Sequence, residues 1–191
     1  EEVVQVLNFY LSYMADVITS YQGTIDEFMG DGILVLFGAP TLREDDAERA
    51  IACAVAMQLA MVKVNEQMQA WELSPLEMGI GINTGEVVVG NLGSEKRTKY
   101  GVVGSQVNLT YRIESYTTGG QIIISEETLQ DAGENLIEIE SKKLVQPKGV
   151  KHPIAIYEIA GIGGKYNLFM PKEAEIFYPL CQPISLQYTV L

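Results

Sequence analysis

The run Gly23-Thr24-Ile25-Asp26-Glu27-Phe28-Met29-Gly30-Asp31-Gly32-Ile33-Leu34-Val35-Leu36-Phe37 decides how this chain folds. Thr24 to Phe28 reads as a short strand, and Ile33 to Phe37 is an apolar run short enough to be a buried one. Met29-Gly30-Asp31-Gly32 between them has turn chemistry, so the two strands form a hairpin. Upstream, Val3, Leu7, Tyr10, Met14 and Val17 recur at spacings of three and four, which predicts an amphipathic helix over 3–20. Tyr21-Gln22-Gly23 stops it. Downstream, Gly38-Ala39-Pro40 breaks the apolar run, and Glu44, Asp45 and Asp46 put negative charge where a helix start favours it. A long helix follows to about Ala70, with a buried stripe of Ala47, Ile51, Ala54, Val55, Leu59 and Val62.

Further along, Glu77–Asn83 and Glu86–Gly90 flank Thr84-Gly85 and predict a second hairpin. The stretch 91–100 is polar and contains glycine, and is expected as a loop or arm. Ser105 is a fair N-cap for a helix to about Tyr116. Gln121–Ile124, Leu136–Ile139 and Ile154–Ile159 read as strands, with a short helix from Ser125 to Gln130. Helices and hairpins in this order predict an α+β sandwich, a mainly antiparallel sheet with helices on one face. After Gly161-Ile162-Gly163-Gly164 the composition turns to Pro, Tyr and Phe. The expected division is a domain over 1–162 and an extension or linker over 163–191.

Composition narrows the functions available. Of 191 residues, 13 are basic and 25 acidic, for a net charge of −12. Such a field repels nucleic acid and anionic membranes, so no nucleic-acid partner is expected, and an anionic substrate would need local cations, most simply bound metal. Cys53 and Cys181 lack metal spacing and read as reduced thiols of a cytosolic compartment. One histidine, His152, argues against a zinc site or a His-centred triad. No apolar run is long enough to span a bilayer. The chain opens inside a helical pattern and reads as part of something longer.

Four sets of side chains could carry chemistry. Asp31 at a hairpin tip presents carboxylate oxygens suited to a hard cation such as Mg2+. The plainer alternative is a turn aspartate bonding its own backbone. Asn108 and Arg112, four apart, share a helix face and could hold a ribose oxygen and a pentavalent phosphate. A solvated polar face is the alternative there. Lys148, in Gln146-Pro147-Lys148-Gly149, could meet a terminal phosphate as a point charge, in competition with Lys142, Lys143 and Lys151. Glu27 reads on its own as a surface glutamate of an edge strand.

Taken together and in order, these stretches resemble the class III nucleotide cyclase catalytic domain, over residues 1 to about 162. The resemblance rests on Gly23 to Gly32, Gly79-Ile80-Gly81-Ile82-Asn83-Thr84-Gly85, Gly90-Asn91-Leu92-Gly93, Tyr100 to Asn108 with Arg112, and Pro147-Lys148-Gly149. It implies a ferredoxin-like sandwich and a head-to-tail homodimer with active sites in the cleft between protomers. It implies two divalent cations, Mg2+ or Mn2+. Asp31 matches the second metal aspartate; the first belongs to a strand preceding the helix at 3–20, which this sequence does not contain. Asn108 and Arg112 match the transition-state pair, Asn108 toward the ribose and Arg112 toward the α-phosphate, and Lys148 matches the lysine of the terminal phosphates.

Glu27 and Gly101 match the two purine-reading positions. Adenylate cyclases of this family commonly carry lysine where Glu27 stands. Guanine offers N1–H and N2–H2 on one edge, and an ionised carboxylate accepts both. Against adenine the same carboxylate would face a lone pair. The implied reaction is therefore GTP to cyclic GMP and pyrophosphate, although Gly101 has no side chain to address O6. Open alternatives are an adenylate cyclase with an atypical pocket and a cyclase-like module that binds without catalysis. The Gly-Gly-Asp/Glu-Glu-Phe signature of diguanylate cyclases is absent. Upstream regulatory or sensor domains are expected partners.

Overall fold

A computed structural model describes residues 2–171 and the backbone of 184–190. Cys181 lies outside the described residues, as does much of the expected extension.

Helix α1 (Glu2–Ser20) buries Tyr10, Met14 and Ile18, one residue per turn on one face. The turn that follows it closes at Gly23, where there is no room for a side chain: a Cβ would stand 2.9 Å from Ile18, Val35 and Phe37. Strands β1 (Thr24–Met29) and β2 (Gly32–Leu36) form the expected antiparallel hairpin, and Gly30 at its turn has φ +63°. Helix α2 (Asp46–Ala70) buries a broader face than its predicted stripe, adding Met57, Met61, Val64 and Met68, while Val62 points out to solvent. Arg49 on its first turn is buried but satisfied: it ion-pairs with Asp45 and Asp46 and donates to the Tyr21 carbonyl.

Strand β3 (Leu76–Ile82) shows how the sheet is clothed on both sides. Leu76, Met78, Ile80 and Ile82 alternate into the main core with α1 and α2. Gly79 and Gly81 fall on the other face. A Cβ at Gly81 would stand 2.5 Å from the Glu114 backbone nitrogen of helix α3 (Ser105–Glu114), so glycine there lets α3 lie against the sheet. Ile113 of α3 joins Ile123 and Ile156 in a second, smaller core. The sandwich is borne out, with this refinement: α3 covers the face opposite α1 and α2. The cap of α3 is Gly104, with Ser105 its first helical residue.

The expected hairpin around Thr84-Gly85 does not form. Strands β4 (Val88–Ser94) and β5 (Arg97–Val103) instead pair with each other as a separate two-stranded ribbon, turning at Glu95-Lys96. Both faces of this arm are largely exposed, so the alternation that betrays a half-buried strand is missing from its sequence. The remaining elements are strand β6 (Ile122–Ser125), helix α4 (Glu126–Ala132, capped by the Ser125 hydroxyl), strands β7 (Ile137–Val145), β8 (Ile154–Ile162) and β9 (Leu168–Phe169), and strand β10 (Ile184–Val190). The main sheet runs β1-β2-β10-β3-β6-β8-β7, with β9 on β8. Strand β10 is parallel to both β2 and β3, and its sequence holds no carboxylate. Cys53 is a free thiol in the core, pushed up to about 12 by burial. No described helix is long and apolar enough to cross a membrane.

Candidate active site

The hairpin β1–β2 positions most of the chemistry. Its register jumps from Ile25↔Val35 to Glu27↔Leu34, so Asp26 is an extra residue in β1, a bulge. Beyond it, Glu27 ion-pairs with Lys99 of β5 at 3.0 Å, with both side chains about half exposed. Asp26 lies beneath the arm. Its Oδ1 is buried without a hydrogen-bond partner, and burial lifts its carboxyl above the ordinary range; Lys99 opposes that shift and Glu27 adds to it. Gly101 of β5 is buried, facing Gly90 across the ribbon. A Cβ placed on it would meet only Leu92 Cδ1 at 3.5 Å and Asp26 Oδ1 at 3.8 Å. Tyr111 of α3 closes the group, its hydroxyl donating to Met29 Sδ at 3.2 Å. Burial raises that hydroxyl, and the negative charges of Glu27 and Asp26 raise it further.

Asp31 at the turn looks elsewhere. It borders a cavity of about 470 Å³ with Glu2, Val6, Tyr10, Gly30 and Leu76 among its walls. Glu114, at the end of α3, is pushed up to about 7, first by burial and then by the charge of Asp31. Its Oε1 is buried and has no hydrogen-bond partner. Among the described residues no group of three or more His, Cys, Asp or Glu side chains comes together as a metal cage.

Asn108 and Arg112 stand one turn apart on α3, Asn108 exposed and Arg112 partly buried. The Arg112 guanidinium lies against the backbone of Gly149, whose added Cβ would be 3.4 Å from Nη1. That glycine has φ +81° and follows the exposed Lys148. Arg112 and the Lys148 loop are thus brought together. Glu27, paired with Lys99, and Gly101, next to Asp26, lie where β1 meets β5, and Asp31 stands apart at the tip of the hairpin. Sequence reasoning missed Asp26, Lys99, Tyr111 and Glu114. The bulge that turns Asp26 toward Gly101 leaves no mark in residue type, and the Lys99–Glu27 pairing depends on where the arm falls.

A protein-family model, that of the Adenylate and Guanylate cyclase catalytic domain, matches residues 1–161. The chain belongs to this cyclase family. Among solved structures it is similar to the guanylyl cyclase Cya2, with 68% identity, a TM-score of 0.87, and coverage of 90% of this chain and 86% of that one. It is also similar to the adenylyl cyclase CyaB from P. aeruginosa, with 34% identity, a TM-score of 0.75 and coverage of 83% and 82%. A curated relative, Adenylate cyclase 1 of Rhizobium meliloti (strain 1021), is 28% identical over 85% of this chain, which spans 24% of that protein's length. The cyclase fold and family expected from the motifs are borne out.

Proposed function

We propose that this cyclase domain converts GTP to cyclic GMP and pyrophosphate. The observation that carries the reading is Glu27, a carboxylate on the edge strand β1 paired with Lys99, two residues before Gly101 on β5. The likeness to the guanylyl cyclase Cya2 supports it. A half-exposed ion pair is worth about 1 kcal/mol or less, whereas each hydrogen bond to a charged group contributes roughly 1.5–3 kcal/mol. The N1–H and N2–H2 groups of guanine therefore compete well for Glu27, while adenine offers a lone pair at N1.

The 3′-hydroxyl oxygen of the substrate attacks its own α-phosphorus, its proton passing to water, and the bond to the bridging oxygen breaks to release pyrophosphate. Arg112 neutralises charge gathering on the α-phosphate, and Asn108 holds the ribose so that the 3′-oxygen lies in line. Lys148, one residue from the glycine that Arg112 touches, holds the terminal phosphates. Asp31 fits a divalent cation, Mg2+ or Mn2+, by its donor chemistry: a hard oxygen ligand at an open turn. When bound, such cations lower the pKa of the 3′-hydroxyl and offset charge on the leaving group.

The separation of the Glu27–Gly101 group from Asp31 fits a head-to-tail homodimer, in which base reading and metal binding by one chain serve different sites. Upstream regulatory or sensor domains belong to the same reading, since the chain spans a minor part of its curated relative. The test is turnover of GTP against ATP with Mg2+ or Mn2+, and then mixing of Asp31→Ala with Asn108→Ala chains. GTP preference and recovery of about one good site per mixed dimer are expected. Preference for ATP would favour the adenylate cyclase reading, and absence of rescue would contradict the shared cleft.

A further inference from the structure

A nucleotide read by Glu27 and held by Asn108 and Arg112 is gripped by two elements that rest on different cores. Glu27 lies on β1, the edge strand whose Ile25 packs on the main core. Asn108 and Arg112 lie on α3, seated against β3 at Gly81 and by Ile113 in the smaller core. The 3′-oxygen lines up with the α-phosphorus only when base and ribose are held at one spacing. The two elements must therefore be fixed against each other, and Tyr111 joins them: its hydroxyl donates to Met29 Sδ at 3.2 Å. Both partners are well placed for this. Beyond the bulge β1 is regular, with Glu27 opposite Leu34 and Met29 opposite Gly32, so Glu27 and Met29, two apart, point to one face. On α3, Tyr111 stands three residues after Asn108 and directly before Arg112, and side chains three apart are neighbours on a helix. The contact links the neighbour of the base reader to the neighbour of the ribose holder.

We propose that Tyr111 is a positioning residue for the cyclisation, its hydroxyl on Met29 setting the spacing between the strand that reads the base and the helix that holds the ribose and α-phosphate. This rests on the reading of Glu27 as the acceptor of N1–H and N2–H2. Thioether sulfur is a weak acceptor, so the bond adds little to the stability of the fold; what it supplies is direction, which the ring alone does not. Burial, and then the charges of Glu27 and Asp26, raise the phenol, so the hydroxyl keeps the proton it donates. The consequence falls on rate rather than affinity. When the spacing slackens, base and phosphates still bind, but the 3′-oxygen loses its line of attack. The consequence also depends on the base. A nucleotide that Glu27 does not hold gives the strut nothing to align.

The test compares wild type, Tyr111→Phe, Met29→Leu and the double variant. Each is measured in turnover of GTP and of purine riboside 5′-triphosphate, which lacks O6, N1–H and N2–H2, and in equilibrium binding of GTP without metal. Tyr111→Phe and Met29→Leu should each lower kcat for GTP about three- to tenfold, the scale of one hydrogen bond, with KM and metal-free affinity within about twofold of wild type. The double variant should fall no further than either single one, since both remove the same contact. Turnover of the purine riboside triphosphate should be equal in all of them. Unchanged kcat for GTP, a loss shared equally by both nucleotides, additive losses, or a raised KM with kcat intact would each overturn the positioning role. Should Tyr111→Phe fail to fold in a thermal melt, Met29→Leu, a volume-conserving change, decides alone. If wild type turns over both nucleotides alike, the reading of Glu27 fails instead, so the two failures are told apart.

Discussion

Strands β1 and β2 are joined by one tight turn yet serve different ends. In β2 no residue from Ile33 to Leu36 is more than 3% exposed, because the strand has neighbours on both edges and packing on both faces. In β1, at the edge of the sheet, Phe28 is 49% exposed and the carboxylates Asp26, Glu27 and Asp31 lie on the strand or its turn. Burial on every side leaves room only for aliphatic side chains. A strand with one open edge can carry charge at little cost to the fold. The hairpin thus anchors its chemistry by its inner strand and presents it on its outer one.

The sharpest way to break that contrast is Glu27→Lys. It should cut kcat/KM for GTP by roughly 10⁴-fold, the scale on which hydrogen-bonding sites reject a mismatched group, without loss of the folded state. Steady-state kinetics beside a thermal melt would show it, and unchanged GTP kinetics would refute the role of Glu27. Next in size is Arg112→Ala, with kcat lowered about 10²–10³-fold, as for loss of a transition-state donor, and KM nearly unmoved. A rise in KM with kcat intact would place Arg112 in ground-state binding instead.

Stability should divide the other way. Ile33→Ala on β2 should cost about 2–5 kcal/mol, while Phe28→Ala on β1 should stay within about 0.5 kcal/mol. Urea titration measures both, and equal losses would erase the distinction between the strands. A pH-dependent effect of intermediate size is expected for Glu114→Gln. Glu114 is pushed up to about 7 in the folded chain, so between its unfolded value of 4.5 and about 7 the folded state holds more proton and stability falls as pH rises. The glutamine variant should be more stable above pH 7 by roughly 1–3 kcal/mol and level with wild type below pH 4.5. A gain independent of pH would show that ionisation of Glu114 is not the cause.

Much of this was legible in the sequence, for physical reasons that differ by region. The β1–β2 hairpin announced itself because a fully apolar run and a Gly-Asp-Gly turn admit few alternatives. Asn108 and Arg112 were placed on one helix face by spacing alone, and Asp31 at a turn by its glycine neighbours. The expectation of an arm over 91–100 stands, but Glu86–Gly90 was paired with the wrong strand, because the strands of the arm are exposed on both sides and carry glycine, so no periodicity marks them. Placement of α3 on the far face was written in Gly81, where a Cβ would meet the Glu114 backbone, but only a known partner gives that glycine meaning. Asp26 was hidden because a bulge reverses the facing of a residue without changing its identity.

The account turns on which atoms meet at position 27. A structure of the paired chains with bound GTP measures this directly: N1 and N2 of guanine should lie about 2.7–3.2 Å from the Glu27 carboxylate oxygens, with Lys99 drawn aside. A guanine ring seated away from Glu27, with the Lys99–Glu27 pair intact, would contradict it.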